Sequence, residues 1–218
     1  MDDLFALAAR TRASLPLDAL AALTLLSLLP FVTVMTTSFV RIVVVLSLVR
    51  SAIGSPTVPP NSVLTGLALI LTMLVMTPTI DSIARDALTP YAHGKLSQSA
   101  FIAKATGPLR AFMLRQTHAK DLALFSRLAR ASTTRGDRVS LSVLIPAFVV
   151  GELRSAFAIG VALYLPFLAI DLAVAAVLMS LGMLMLSPPI VSLPLKLLLF
   201  VSVDGWALVC AGVTASFR

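Results

Sequence analysis

Six charged side chains stand well inside otherwise apolar runs, away from their N-terminal edges: Arg41, Glu152, Arg154, Asp171, Lys196 and Asp204. At a bilayer centre each would cost about 2.5–3.5 kcal/mol on insertion scales, so each needs a partner or a wet cavity. Two chemistries meet that need. One is an ion or proton pathway, for which Arg41, Glu152, Asp171 and Lys196 would serve. The other is charge pairing between helices or between subunits, which fixes the geometry of an assembly. Three bases against three acids favour pairing, with Arg41, Glu152, Asp171 and Lys196 as the assembly charge pairs.

Catalysis finds no foothold. There is no His-Glu-x-x-His, no Gly-x-Ser-x-Gly and no glycine-rich phosphate loop with a lysine. His93 and His118 both lie in the one polar stretch, without carboxylates at metal-ligand spacing. The single cysteine, Cys210, excludes a disulfide framework and a cysteine-based zinc site, and reads as a small core residue. The expectation is a protein that is not an enzyme and needs no cofactor or metal.

A methionine cluster, Met179-Ser180-Leu181-Gly182-Met183-Leu184-Met185, is the remaining feature. It reads either as ordinary apolar packing or as a seal, since flexible, polarizable side chains conform to irregular shapes.

The elements that must carry these residues follow from hydropathy. Of 218 residues, 58% are hydrophobic and 12% charged, and the mean hydropathy is +0.99. That excludes an ordinary soluble enzyme and a disordered tail alike. The net charge of +7 does not point to nucleic acid, because a chain this apolar could not stay in solution to search for it. Four apolar blocks run from Leu17 to Val49, Ser62 to Ile80, Leu141 to Leu186 and Ile190 to Phe217. Only the second has the ~20-residue length of a simple span. The first and third are longer, which implies helices projecting beyond a bilayer or hairpins that never fully cross it. Gly54-Ser55-Pro56, Pro59-Pro60-Asn61 and Pro188-Pro189 punctuate the blocks, with Asn61 expected to cap the second. Pro30, Pro78, Pro146, Pro166 and Pro194 are expected to kink or end helices. The class is all-α: a polytopic, membrane-associated protein of long kinked helices and hairpins.

The chain divides into an N-terminal segment (1–16), a first helical membrane block (17–80), a basic, mainly helical insert (81–138) and a second membrane block with the methionine-rich loop (139–218). Met1-Asp2-Asp3 lacks the basic start of a secretory signal. The insert carries ten bases and four acids, and so six of the seven net charges. Its apolar spacing predicts one amphipathic helix from Pro108 to Arg130, then a linker over Ser132–Asp137. Such a helix could lie on anionic lipid, bind a partner, or pack on its own protein. The lysine and arginine count alone would place the insert in the cytoplasm, although the rule weakens for loops of about 60 residues.

Thr37-Ser38-Phe39-Val40-Arg41-Ile42, Leu48-Val49-Arg50-Ser51-Ala52-Ile53-Gly54 and Pro59-Pro60-Asn61 occur in order. They are followed by Pro108-Leu109-Arg110-Ala111-Phe112-Met113-Leu114-Arg115-Gln116-Thr117, Leu165-Pro166-Phe167-Leu168-Ala169-Ile170-Asp171-Leu172, Leu193-Pro194-Leu195-Lys196 and Val203-Asp204-Gly205-Trp206. With the methionine cluster, this series resembles the FliP/SctR family of type III secretion export-gate proteins, its flagellar branch more than its virulence branch. The resemblance covers nearly the whole chain from Leu17. It implies a bacterial inner-membrane, flagellar basal-body subunit of a homo-oligomer, a pentamer, joined by FliQ- and FliR-like proteins. Unfolded flagellar proteins would pass through the channel. It also implies that the assembly is raised toward the periplasm and that the insert is extracytoplasmic, against the charge count. The family's pore gasket maps onto Met183 and Met185, with Met179 nearby, and Leu184 replaces the middle methionine. From a different class, a small-ion or proton-coupled transporter remains the alternative.

One geometric expectation comes from counting. The midpoint between Asp171 and Lys196 falls at Met183-Leu184. A chain reversal there puts each charge ~18 Å from the tip, level enough to pair. A reversal at Pro188-Pro189 would offset them by ~15 Å.

Overall fold

Apolar residues spaced three and four apart, with glycine, proline and serine between the runs, fold as helices whose stripes meet. The computed structural model describes residues 17–55, 57–130, 139–183 and 185–217. The N-terminal segment 1–16 and the Ser132–Asp137 linker fall outside them. Among the described residues all regular structure is helical. The elements are α1 (Leu17–Thr36), α2 (Phe39–Ile53), α3 (Asn61–Ile83), α4 (Gln98–Gln116), α5 (Ala119–Leu128), α6 (Leu141–Ser180), α7 (Pro188–Ser202) and α8 (Gly205–Ala215). A π turn, Ala84–Leu88, and a short helical turn, Thr89–Ala92, continue α3.

Two units are distinct, Met1–Val34 and Met35–Arg218. In the first, most of α1 is described. The Thr24 and Ser27 hydroxyls donate to the carbonyls of Leu20 and Thr24, each at 2.8 Å, so an apolar helix satisfies its polar side chains on its own backbone. The second unit contains α2 to α8.

There, α2 forms the centre. Ile42, Val45, Leu46 and Val49 make a buried stripe at helical spacing. They pack with Leu64 and Ala68 of α3, Ala156 and Phe167 of α6, Phe200 of α7 and Val209 and Val213 of α8. A second cluster joins Met76 of α3, Phe112 and Met113 of α4, and Val143, Leu144 and Phe148 of α6. The α2–α6 crossing is close because Gly160 has no side chain: a Cβ there would stand 2.3 Å from Leu48 Cδ1.

Helix α6 runs for 40 residues, about 60 Å, and Pro146 and Pro166 do not end it. The Asn61–Ala92 segment and α6 are each long and apolar enough to cross a membrane. The chain itself buries 33% and 17% of their most apolar windows. The rest of that surface is left for lipid or for other subunits. Helices α7 and α8 meet the same test only as a pair bent by 66°. Pro188 and Pro189 open α7, where a missing N–H costs no hydrogen bond. The sharp break in block four lies at Val203-Asp204, not at Pro194. Asp204 takes a left-handed conformation (φ 50°, ψ 54°). Gly205 follows because a Cβ there would fall 2.3 Å from the Phe200 ring.

Two local expectations are corrected. Asn61 does not cap α3; it is the first helical residue, and its Oδ1 accepts from Arg50 Nη1 at 2.6 Å. Arg50 also donates to the Pro59 carbonyl at 3.2 Å, so the side chain ties the α2–α3 connection instead. The single helix expected over 108–130 is broken at Thr117 and His118, both extended (ψ 129° and 142°). The break turns α5 back along α6, where Asp121 finds a cation.

The Gly160 crossing yields a test. Gly160→Ala should destabilise the purified protein by about 1–3 kcal/mol through overpacking. Leu48→Ala in the same chain should recover part of that loss. Thermal unfolding in detergent, followed by the fluorescence of Trp206, reads both.

Candidate functional site

The ordering of α2, α4, α6 and the C-terminal residues converges on one guanidinium. Arg41 on α2 is 4% exposed and Glu152 on α6 is fully buried. Arg41 Nε donates to Glu152 Oε2 at 2.9 Å, and Nη2 donates to Glu152 Oε1. The fork geometry satisfies both carboxylate oxygens, which is what a buried carboxylate requires. The remaining donors are also used. Nη1 donates to the Ser216 carbonyl at 2.9 Å and to Ser216 Oγ at 3.1 Å, and Nη2 donates to Gln116 Oε1 at 3.2 Å. Gln116 Nε2 in turn donates to the Phe217 carbonyl at 3.2 Å. The Phe217 ring lies 3.9 Å from the guanidinium carbon, a cation–π contact. Phe217 stacks on Phe112, which meets Phe148 edge-on. One buried charge therefore binds α2, α4, α6 and the end of the chain into a single body.

A second pair lies across the α6–α7 hairpin. Lys196 Nζ donates to Asp171 Oδ2 at 2.6 Å, and Ser192 Oγ donates to Oδ1 at 2.6 Å. The reversal occupies 181–187, between the end of α6 and Pro188, so the two charges stand level on facing arms. The prolines start the returning arm. Gly54 (φ 89°), at the end of α2, closes the other side: a Cβ there would be 3.7 Å from Lys196 Nζ. The ammonium therefore also faces the carbonyl end of α2, a favourable place for positive charge.

A third pair secures the insert. Arg154 on α6 donates from Nη1 and Nη2 to the two oxygens of Asp121 on α5, at 2.7 and 2.8 Å. Asp121 is 1% exposed. Gly151 of α6 lies against the same carboxylate: a Cβ there would stand 3.6 Å from Asp121 Oδ2, in ordinary contact.

Arg41, Glu152, Asp171 and Lys196 thus meet in two pairs within one chain. Arg154 is paired as well. Asp204 is exposed at the α7–α8 bend and takes part in none of these pairs. Met179 lies in the last turn of α6, Gly182 (φ 73°) follows it, and Met183 and Met185 come after. All three methionines are exposed at the hairpin tip, outside both core clusters. Leu184 falls outside the described residues. Sequence reading missed Gln116, Ser216, Phe217, Asp121 and Ser192. Among the described residues, no group of three His, Cys, Asp or Glu side chains could hold a metal ion.

The Asp171–Lys196 pair can be tested without assuming any function. Lys196→Met alone should destabilise the protein by up to about 3 kcal/mol, the low end for a broken buried pair because Asp171 is partly open. Adding Asp171→Leu should restore most of the loss, since two apolar side chains need no partner. Denaturation in detergent of the single and double variants measures the difference.

Comparison with known proteins places most of this framework in one group of sequences. The model of the FliP family matches residues 22–213. A flagellar biosynthetic protein FliP from Pectobacterium carotovorum subsp. carotovorum is 49% identical over 205 residues, covering 94% of this chain and 80% of that protein. The protein of the same name from Bacillus subtilis (strain 168) is 45% identical over 199 residues, covering 91% and 90%. Another, from Buchnera aphidicola subsp. Baizongia pistaciae (strain Bp), is 48% identical over 205 residues. The chain spans 57% of that relative's length.

Proposed function

This chain belongs to the FliP family, and from that premise we propose that it is a subunit of the flagellar type III protein export gate. In this reading several copies, five, join FliQ- and FliR-like proteins in the bacterial inner membrane. They form the channel through which unfolded flagellar proteins cross, with the bulk of the assembly and the basic insert toward the periplasm.

One observation carries the reading beyond the family name. The long helices α3 and α6 leave most of their apolar surface uncovered, while Arg41, Glu152, Arg154 and Lys196 are satisfied inside the chain. A subunit built this way brings a finished polar interior to assembly and offers apolar faces to its neighbours and to lipid. The pairs Arg41–Glu152 and Asp171–Lys196 then set the shape that assembly requires. An ion transporter would need such charges on a wet path, where they could exchange partners; Arg41 has all its donors committed.

The exposed methionines fit the same reading. Met179, Met183 and Met185 would meet their counterparts from other subunits at the hairpin tips and close the pore as an apolar gasket.

Mass measurement of the complex extracted from native membranes tests the proposal. An oligomer of this chain with two further small membrane proteins supports it. A monomer that conducts ions in vesicles would instead establish the transporter. Replacing Met183 and Met185 together with glycine should raise small-ion leakage through the closed gate while leaving the complex mass unchanged. Unchanged conductance in vesicles containing the complex would return the methionines to ordinary packing.

A further inference from the structure

In the second membrane block, among the described residues, Asp204 is the acid that the chain leaves without a side-chain partner. It stands at the bend of α7 and α8, in block four, and is exposed. Its side chain does not cap α8; only its backbone takes part, the N–H donating to the Val201 carbonyl and the carbonyl accepting from the Leu208 N–H. Glu152, Asp171 and Asp121 all receive donors from cations. The backbone at Asp204 is left-handed (φ 50°, ψ 54°) and the residue is exposed.

What surrounds it is apolar. Val203 and Gly205, its two neighbours, line an open cleft of about 290 Å³. Pro166, Phe167, Phe200 and Leu208 are among its other lining residues, and the cleft presents almost no polar surface. Phe200, held between Phe167 at 6.3 Å and Trp206 at 5.2 Å, makes a fixed floor. Leu208 is 60% exposed at the mouth. A rigid apolar pocket with a lone charge at its rim is the pattern of an interface centre, where one large side chain fills the pocket and one charge sets the orientation.

The charge also narrows the occupant. A second copy of this chain has no free cation in its described membrane blocks. Arg41 and Arg154 are bound to carboxylates, Lys196 is bound and buried, and Arg50 holds the Pro59 carbonyl and Asn61. We propose that Asp204 and the adjoining cleft are the docking point for a helix of a different membrane protein. That helix presents a Lys or Arg one turn from a large apolar side chain. The large residue enters the cleft, and the cation meets Asp204.

The proposal rests on the export-gate reading, and the test separates the two. The chain is extracted from native membranes as wild type, Asp204→Asn, Asp204→Glu and Leu208→Trp, and the mass and composition of the complex are read. Asp204→Asn and Leu208→Trp should each lower the amount of a second protein in the complex by at least about tenfold, since a hot-spot contact is lost. Asp204→Glu should keep it. Self-association of the chain and its unfolding temperature should stay unchanged in all three. In the partner so lost, exchanging one membrane-helix Lys or Arg for Asp should restore binding to Asp204→Lys and to no other variant. A wild-type complex without any second protein overturns the export-gate reading and the docking point with it. A second protein retained in full by Asp204→Asn and Leu208→Trp overturns the docking point alone and leaves the cleft to lipid.

Discussion

A guanidinium removed from water must have every donor met, and in this chain that requirement decides how four distant segments come together. Arg41 accounts for its donors with Glu152, Gln116 and Ser216, and its face with Phe217. A lone charge in that position would cost far more than the apolar contacts around it return. The helices therefore cannot pack in another register without stranding it. The core stripe of α2 is the same apolar surface that many arrangements could bury; the guanidinium selects one of them. This is the specifying role that a buried ion pair can play even where it adds little net stability.

The other two pairs extend the logic to the periphery. Asp171 and Lys196 lock the α6–α7 hairpin in register and fix where its methionine tip lies. Asp121 and Arg154 anchor α5, and through it the basic insert, to the same long helix. Helix α6 thus carries one member of each pair, along some 30 Å from Glu152 to Asp171. Its outward face is left apolar. A rigid, internally neutralised rod with an uncovered surface suits a subunit of a larger membrane body.

Much of this was legible from residues alone. The helical class followed from the absence of alternation and from the block lengths. The register of Asp171 against Lys196 followed from counting, because a helical hairpin with a short turn leaves little freedom. Other features were not legible. Gln116 and Ser216 lie 75 and 175 positions from Arg41, and no periodicity links such residues. Asp121 reads in sequence as one acid among many bases on a solvated helix; its burial depends on the break at Thr117-His118, which neither glycine nor proline marks. Pro146 and Pro166, expected to kink or end a helix, do not end α6. Asn61 has the right chemistry for a cap, but Arg50 claims its oxygen first.

The claim that Arg41 and Glu152 act within one chain is tested most directly by a double-mutant cycle on monomeric protein. Arg41→Met, Glu152→Leu and the double variant would be unfolded in detergent at a concentration where sedimentation shows a single copy. The account predicts a coupling of about 3 kcal/mol or more between the two positions, present in the monomer. A coupling below about 0.5 kcal/mol in the monomer, appearing only on assembly, would contradict it and move the pair to the contact between subunits.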